Sequence, residues 1–404
     1  MKISFVGNQD NNAYRYASAL RDAGHEVRLH LFRQDGSPRS SPEFVDPSLT
    51  GGYPDWIERY DDKLGRLAFL LPSAAARKIE RESDVVITSG ATGLMGVGHF
   101  DKVPIVHLTL GSEVSDFPMR LGRLSAAPHW WAAALMLRRS LRRVDAIVTH
   151  GFWPEMRAIN RLGLLSKTRL WGFPEDFRGN RDRVNRAVLD ELNQQYSACS
   201  RVFIWLGRVN YLRPSAVEYK APEVFLEAFA GVAQRDSSAR AVVGDYGRDI
   251  AEFHRLVESK GLADRIDFVP HMDFWKVLTY FGIRNAVVVD TPDMERGHII
   301  GGLVREALSV GAPVISAFDE SLMSLCYGPG CPVHRATDVQ SCLDAMLWAI
   351  KADESQFAAL KARSAQWASD HLQYERRIGE LVKVLREVAY CGGFRRGGRP
   401  GGGV

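Results

Sequence analysis

Two glycines, a glutamate and a pair of cations in the second half of this 404-residue chain are of the types and spacing that phosphate chemistry uses. In GHIIGGLVREALSVGAPVIS (residues 297–316), a strand pattern has ended near Asp290. Gly301, Gly302 and Leu303 then open a helical pattern that carries Glu306 in its second turn. Glycines at such a point let backbone N–H groups and the positive end of a helix approach a phosphate closely. A carboxylate one turn further on accepts two hydrogen bonds from a ribose diol. Upstream, in WLGRVNYLRPSAVEYKAPEVFLEAF, Gly207 and Arg208 follow a strand and Lys220 precedes the next helix. Both cations are therefore expected to overhang one carboxyl edge of a sheet. Two fixed cations stabilise the charge that develops on a departing nucleoside diphosphate without requiring a metal.

The elements that must position these groups are legible as apolar runs. In the first half, residues 3–6, 27–31, 84–88, 104–108, 145–149 and 168–171 read as strands, with helical patterns between most of them. Ala13, Tyr16, Ala17 and Leu20 form the first helical stripe, which Gly24 ends. Residues 33–54, rich in Ser, Pro, Gly and Asp, read as a long loop. After a polar stretch from 178 to 200 the pattern begins again, with strands at 202–206, 239–243, 265–269, 285–289 and 313–316. Val224, Phe225, Ala228, Phe229 and Val232 form one helical stripe between the first two of these strands. Strand–helix alternation of this kind predicts an α/β protein with mostly parallel sheets. The expected organisation is an N-terminal Rossmann-like domain over 1–175, a linker over 176–200 and a second Rossmann-like domain over 201–353. C-terminal helices over 354–391, crossing back to the first domain, and a disordered Gly-rich tail over 392–404 complete it. Ligands in such sheets bind at the carboxyl ends of the strands, here in a cleft between two domains facing each other.

Several function classes are disfavoured by composition and motif. The turn after the first strand is GNQDNNAY, with no GxGxxG, and no Walker A loop occurs anywhere. A formal net charge of +4 over this length does not point to nucleic acid. Five cysteines without a tight spacing pattern fit a reducing compartment, and Cys326, Cys331, His334 and Cys342 do not have zinc-knuckle spacing. No metal and no cofactor is expected. The opening MKISFVGN has no signal-peptide pattern, and no apolar run is long enough to span a bilayer, so a cytoplasmic protein is expected. Residues 117–144 contain no Asp or Glu but hold six arginines beside Trp130, Trp131, Leu135 and Leu137. That composition on an amphipathic helix suits an anionic membrane surface, or a domain helix with solvated arginines.

The second half resembles the donor-binding half of the GT-B glycosyltransferases, specifically the retaining group known as family 4. The resemblance rests on Gly207-Arg208 followed by Lys220, and on Glu306-Ala307, Gly311 and Pro313-Val314 of the Glu-x7-Glu and EA-x-x-x-G-x-PV motifs. It covers residues 201–350 well. In the first half it is looser, carried by AYRYASALRDAGHEVRLHLF and by SKTRLWGFPEDF at the interdomain segment. His298 stands where the first glutamate of the motif is expected, and Leu110-Gly111-Ser112-Glu113 stands for an HG(S/T)D-like loop.

The resemblance implies metal-independent transfer of a hexose-type sugar from a nucleotide-sugar to a glycan, glycolipid or small-molecule acceptor, with retention. It places Arg208 and Lys220 at the donor phosphates, Glu306 at the ribose and His298 toward the transferred sugar. Gly207, Gly301, Gly302 and Leu303 complete the donor set. His107 and Glu113 are candidates for the base, and Gly7, Asn8 and Asn11 for the acceptor side. A catalytically inactive binding protein on the same fold and a nucleotide-sugar epimerase are the other readings.

Overall fold

A computed structural model describes residues 1–8, 11–32, 41–60, 74–120, 128–175, 177–212, 220–291 and 300–397. The chain divides into two units, one of Met1–Gly172 with Tyr374–Val404 and the other of Phe173–Gln373.

In the first unit a parallel sheet of seven strands runs β1 (Lys2–Val6), β2 (Glu26–Phe32), β3 (Ile57–Tyr60), β4 (Val85–Ser89), β5 (Ile105–Leu108), β6 (Ala146–Thr149) and β7 (Thr168–Leu170) in chain order. Its spatial order is β3-β2-β1-β4-β5-β6-β7. Helices α1 (Asn12–Asp22), α2 (Ala74–Glu82), α3 (Gly90–Gly96), α4 (Ser112–Ser115), α5 (Pro128–Arg143) and α6 (Trp153–Arg161) connect the strands. Every residue of β4, β5 and β6 is buried, as expected of strands covered on both faces.

The second unit repeats the plan. Its strands are β8 (Val202–Trp205), β9 (Arg240–Gly244), β10 (Ile266–Val269), β11 (Ala286–Asp290), β12 (Val314–Ser316) and β13 (His334–Arg335), in spatial order β10-β9-β8-β11-β12-β13. Its helices are α7 (Phe177–Asp182), α8 (Arg186–Gln195), α9 (Pro222–Ala233), α10 (Ile250–Ser259), α11 (Phe274–Phe281), α12 (Gly302–Ser309), α13 (Glu320–Tyr327), α14 (Val339–Lys351) and α15 (Glu354–His371). Side-chain alternation along β8 splits the core in two. Val202 and Ile204 pack on one face with Val288, Val304, Leu308 and Trp367, while Phe203 and Trp205 pack on the other with Phe225, Phe229 and Met346.

In both sheets the chain winds outward in one direction and then reverses. The reversal falls between β1 and β4 in the first sheet and between β8 and β11 in the second. Each is a topological switch point, where connections leave in opposite directions and open a crevice at the carboxyl edge.

Two edge strands, β3 and β13, escape a reading by apolar runs because they are short and polar. Residues 177–195, read from sequence within a polar connection, instead form α7 and α8. Leu192 and Tyr196 pack into the core of the second unit and Asn185 caps α8 through the Val188 N–H. The C-terminal helical stretch breaks at Leu372–Gln373. Beyond it α16 (Tyr374–Gly397) buries Ile378, Leu381 and Leu385, and the Trp171 indole donates to the Arg377 carbonyl at 2.9 Å.

Candidate functional site

The switch point of the second sheet gathers the loops that carry the sequence-derived donor residues. Gly207 sits two residues after Trp205, whose ring is fully buried. A Cβ at Gly207 would lie 2.6 Å from that ring, so only glycine allows the backbone to turn there. The Trp205 indole N–H donates to the Thr291 hydroxyl at 3.0 Å, just past the end of β11. Thr291 Oγ1 in turn lies 2.9 Å from the Lys220 carbonyl and 3.1 Å from that of Ala221, which opens α9 in a left-handed conformation. One buried hydroxyl thus joins the ends of β8 and β11 to the start of α9. Lys220 is part-buried and Arg208 exposed, both on this edge.

The Arg208 loop is braced from β9. Val209 N–H donates to the Tyr246 carbonyl at 3.0 Å, and the Tyr246 hydroxyl donates to the Leu206 carbonyl. Asp249 accepts from the N–H groups of Tyr211 and Leu212 at 2.7 and 3.0 Å. A Cβ at Gly247 would fall 2.2 Å from the Val209 carbonyl oxygen, so the two loops are in backbone contact.

Gly301 caps α12 with no side-chain hydrogen bond, and an added Cβ there would lie 3.7 Å from the Asp290 carboxylate. Gly302 is exposed, Leu303 and Glu306 are part-buried, and all stand on the first two turns of the helix. His298 lies outside the described residues. Arg305, which sequence reading did not single out, is 7% exposed and forms an ion pair with Glu175 (1% exposed) at 3.7 Å. Asn180 donates to Glu175 at 3.0 Å and to the Ser309 hydroxyl at 2.9 Å, so α7 fastens the far end of the same helix. The nearest sequence signal was an arginine placed among the apolar positions of REALSV.

At the carboxyl edge of the first sheet the candidates are interior groups. Gly7 has φ of 86°, and a Cβ on it would lie 2.4 Å from the Ser89 carbonyl oxygen. Asn8 and Asn11 are fully buried. Asn8 donates to Asn11 at 2.9 Å and accepts from the Tyr14 N–H, while Asn11 donates to the Ser41 carbonyl. Their amides brace the turn between β1 and α1. His107 and Glu113 are likewise fully buried, 3.7 Å apart, with His107 Nδ1 on the Thr88 hydroxyl and Glu113 accepting from the Leu110 N–H.

Beside them lies Glu155, unremarked in the sequence. It accepts from the hydroxyls of Thr109 and Thr149 at 2.6 and 2.7 Å, at the ends of β5 and β6. Complete burial and then the neighbouring Glu113 carboxylate push its carboxyl up to about 8, against the pull of the two hydroxyls. Glu155 is consequently protonated at neutral pH.

On α5, Leu135 is 60% and Trp131 37% exposed, and Arg139 and Arg142 are exposed with them. Arg138 instead donates to the Pro118 carbonyl, and Arg143 pairs with Asp101. Among the described residues no helix is long and apolar enough to cross a membrane.

No protein-family model and no curated protein matches the chain. Solved structures do. Anabaena HepE in complex with UDP and glucose superposes with a TM-score of 0.66 at 17% identity, covering 96% of this chain and 100% of that one. Sucrose-phosphate synthase from Thermosynechococcus elongatus gives 0.65 at 14% identity over 96% and 99% of the two chains. A glycosyltransferase from Rickettsia africae gives 0.62 at 10% identity over 96% and 98%. At these identities the likeness is one of fold. The chain has the GT-B fold: two α/β units, each with a parallel Rossmann-like sheet, and C-terminal helices.

Proposed function

We propose that the protein is a glycosyltransferase that takes a hexose-type sugar from a nucleotide-sugar, with UDP as its first-choice nucleotide, and passes it to a glycan, glycolipid or small-molecule acceptor. The observation that carries this reading is the approach at one switch point of the Arg208 loop and the Lys220 turn, tied through Trp205 and Thr291, to the glycine start of α12 beside Asp290. A diphosphate at that edge would meet the α12 N–H groups and the two cations, which stabilise the leaving group as the glycosidic bond breaks. Glu306, one turn along α12, would hold the ribose hydroxyls. UDP is put first because the HepE structure contains it. Retention, independence from metal, and a role for His298 beside the transferred sugar are proposed from the family-4 resemblance. The exposed Trp131, Leu135, Arg139 and Arg142 motivate the further proposal that the protein docks peripherally on the anionic inner face of a membrane.

A thermal-shift series with UDP, GDP, ADP and their sugar conjugates tests the donor reading. A ligand that binds only the folded state raises the melting temperature, by an amount set by its concentration over Kd. One nucleotide should stabilise the wild type and fail to stabilise Arg208→Ala and Glu306→Ala. Well-folded protein that responds to none of them would refute the reading. Binding without turnover of any sugar conjugate would leave a non-catalytic nucleotide-binding protein.

A further inference from the structure

Arg305 stands one residue before the proposed ribose ligand, yet its side chain does not follow Glu306. The guanidinium turns back toward the beginning of α12. One of its terminal nitrogens lies 3.5 Å from the Ile300 carbonyl oxygen, and the other would be 3.9 Å from a Cβ placed on Gly302. It therefore lies against the turn at which the helix begins. Its position is fixed from the opposite side. Nε pairs with Glu175 at 3.7 Å, and the guanidinium carbon lies 5.9 Å from the Phe173 ring centroid.

Glu175 is itself immobilised. Its N–H donates to the Leu372 carbonyl at 2.8 Å at the end of α15, and Asn180 holds its Oε1. At the other end of α12 Arg181 donates to the Ser309 carbonyl at 3.3 Å, the usual place for a cation on a helix. Arg305 occupies the reverse place, the cationic half of a buried ion pair with its guanidinium beside the positive helix end. Glu175 offsets much of that charge, and an anion arriving at the same turn is attracted to the guanidinium end of the pair.

We propose that Arg305, held in place by Glu175, is an electrostatic positioning residue of the donor site that sets the α12 entrance turn and presents the positive end of a buried ion pair to the donor phosphates. The inference deepens the donor-site reading above and rests on it. Arg208 is exposed and Lys220 part-buried on this edge, whereas the Arg305 guanidinium is buried. Because a buried charge is screened little by salt, it acts at ionic strengths where surface cations have faded.

The experiment compares UDP with uridine on wild type, Arg305→Met and Arg305→Lys, using calorimetry for UDP at low and high salt and ligand-observed NMR for uridine. Removing the charge should weaken UDP about tenfold or more while uridine binding is unchanged, and the UDP loss should persist at high salt. Arg305→Lys, which keeps the charge and loses the planar fork, should recover part of the loss. A merely structural role would loosen Glu306 as well, and UDP and uridine would weaken together. That outcome, or an unchanged UDP affinity in Arg305→Met, overturns the inference while leaving the donor site standing. If UDP, GDP and ADP all fail to bind the wild type, the donor site and the inference fall together.

Discussion

Replacing Glu155 by Gln should make the protein more stable at alkaline pH and slightly less stable at pH 5. The carboxyl is fully buried, and its value in the folded protein is about 8 against 4.5 for the free side chain. Between those two values the native state holds a proton that the unfolded chain has released. The free energy of unfolding must then fall as pH rises, by about 1.4 kcal/mol per pH unit for this one group. The cost is absent below pH 4.5 and complete above pH 8, where it amounts to roughly 5 kcal/mol.

Glutamine retains an oxygen to accept from Thr109 and Thr149 but cannot ionise. Its NH2 group replaces Oε1, which has no hydrogen-bond partner among the described residues, and that substitution costs about 1 kcal/mol. The two stability curves should therefore cross, with the variant ahead by about 3 kcal/mol or more at pH 8.5. Urea unfolding of both proteins from pH 5 to 9 reads this directly, since titrating groups remote from Glu155 cancel in the difference. Glu113→Gln, by removing the neighbouring negative charge, should end the falling limb of the wild-type curve at a lower pH. Parallel curves for wild type and Glu155→Gln would refute the argument, because they would mean that Glu155 titrates alike in folded and unfolded chains.

Two further predictions concern the backbone positions on which the carboxyl edges depend. Thr291→Val removes the acceptor of the buried Trp205 indole and the tie to the Lys220 turn. It should cost about 1–3 kcal/mol in chemical denaturation and weaken UDP, whereas Thr291→Ser should restore both; equal behaviour of Val and Ser would discount the hydroxyl. Gly7→Ala forces a Cβ to 2.4 Å from the Ser89 carbonyl oxygen at a φ of 86°. A loss of about 2 kcal/mol or more is expected from strain and displacement, and an unchanged melting temperature would show that the turn after β1 and the end of β4 are not in such close contact.

Much of the architecture was readable because parallel strands covered on both faces must be continuous apolar runs. Runs such as VVIT before Ser89 and AVVV before Asp290 therefore announce themselves without any partner in view. The residues proposed for the donor were picked out for a related reason. Gly207, Arg208, Lys220, Gly301, Gly302 and Glu306 lie at strand ends and helix starts, and those boundaries are local features of the chain. Strands β3 and β13 were not readable, since an edge strand needs apolar character on only part of its surface. Helices α7 and α8 were hidden too, because a few contacts such as Leu192 and Tyr196 against the core decide their fold.

The groups that only the tertiary structure decided are polar residues whose partners are remote in the chain. Glu155 in WPEMRAINR reads as an ordinary acidic residue in the first turn of a helix. Its carboxyl is raised because the packing of α6 against α4 buries it completely and, second, brings Glu113 beside it at the ends of β5 and β6. Arg305 and Glu175 form their pair through a network in which Asn180 reaches Ser309 across 129 residues of sequence. Local pattern determines where a chain turns from strand to helix, because propensity and apolar periodicity act over a few residues. Burial of a charge is set by what packs over it, and that is a property of the assembled fold alone.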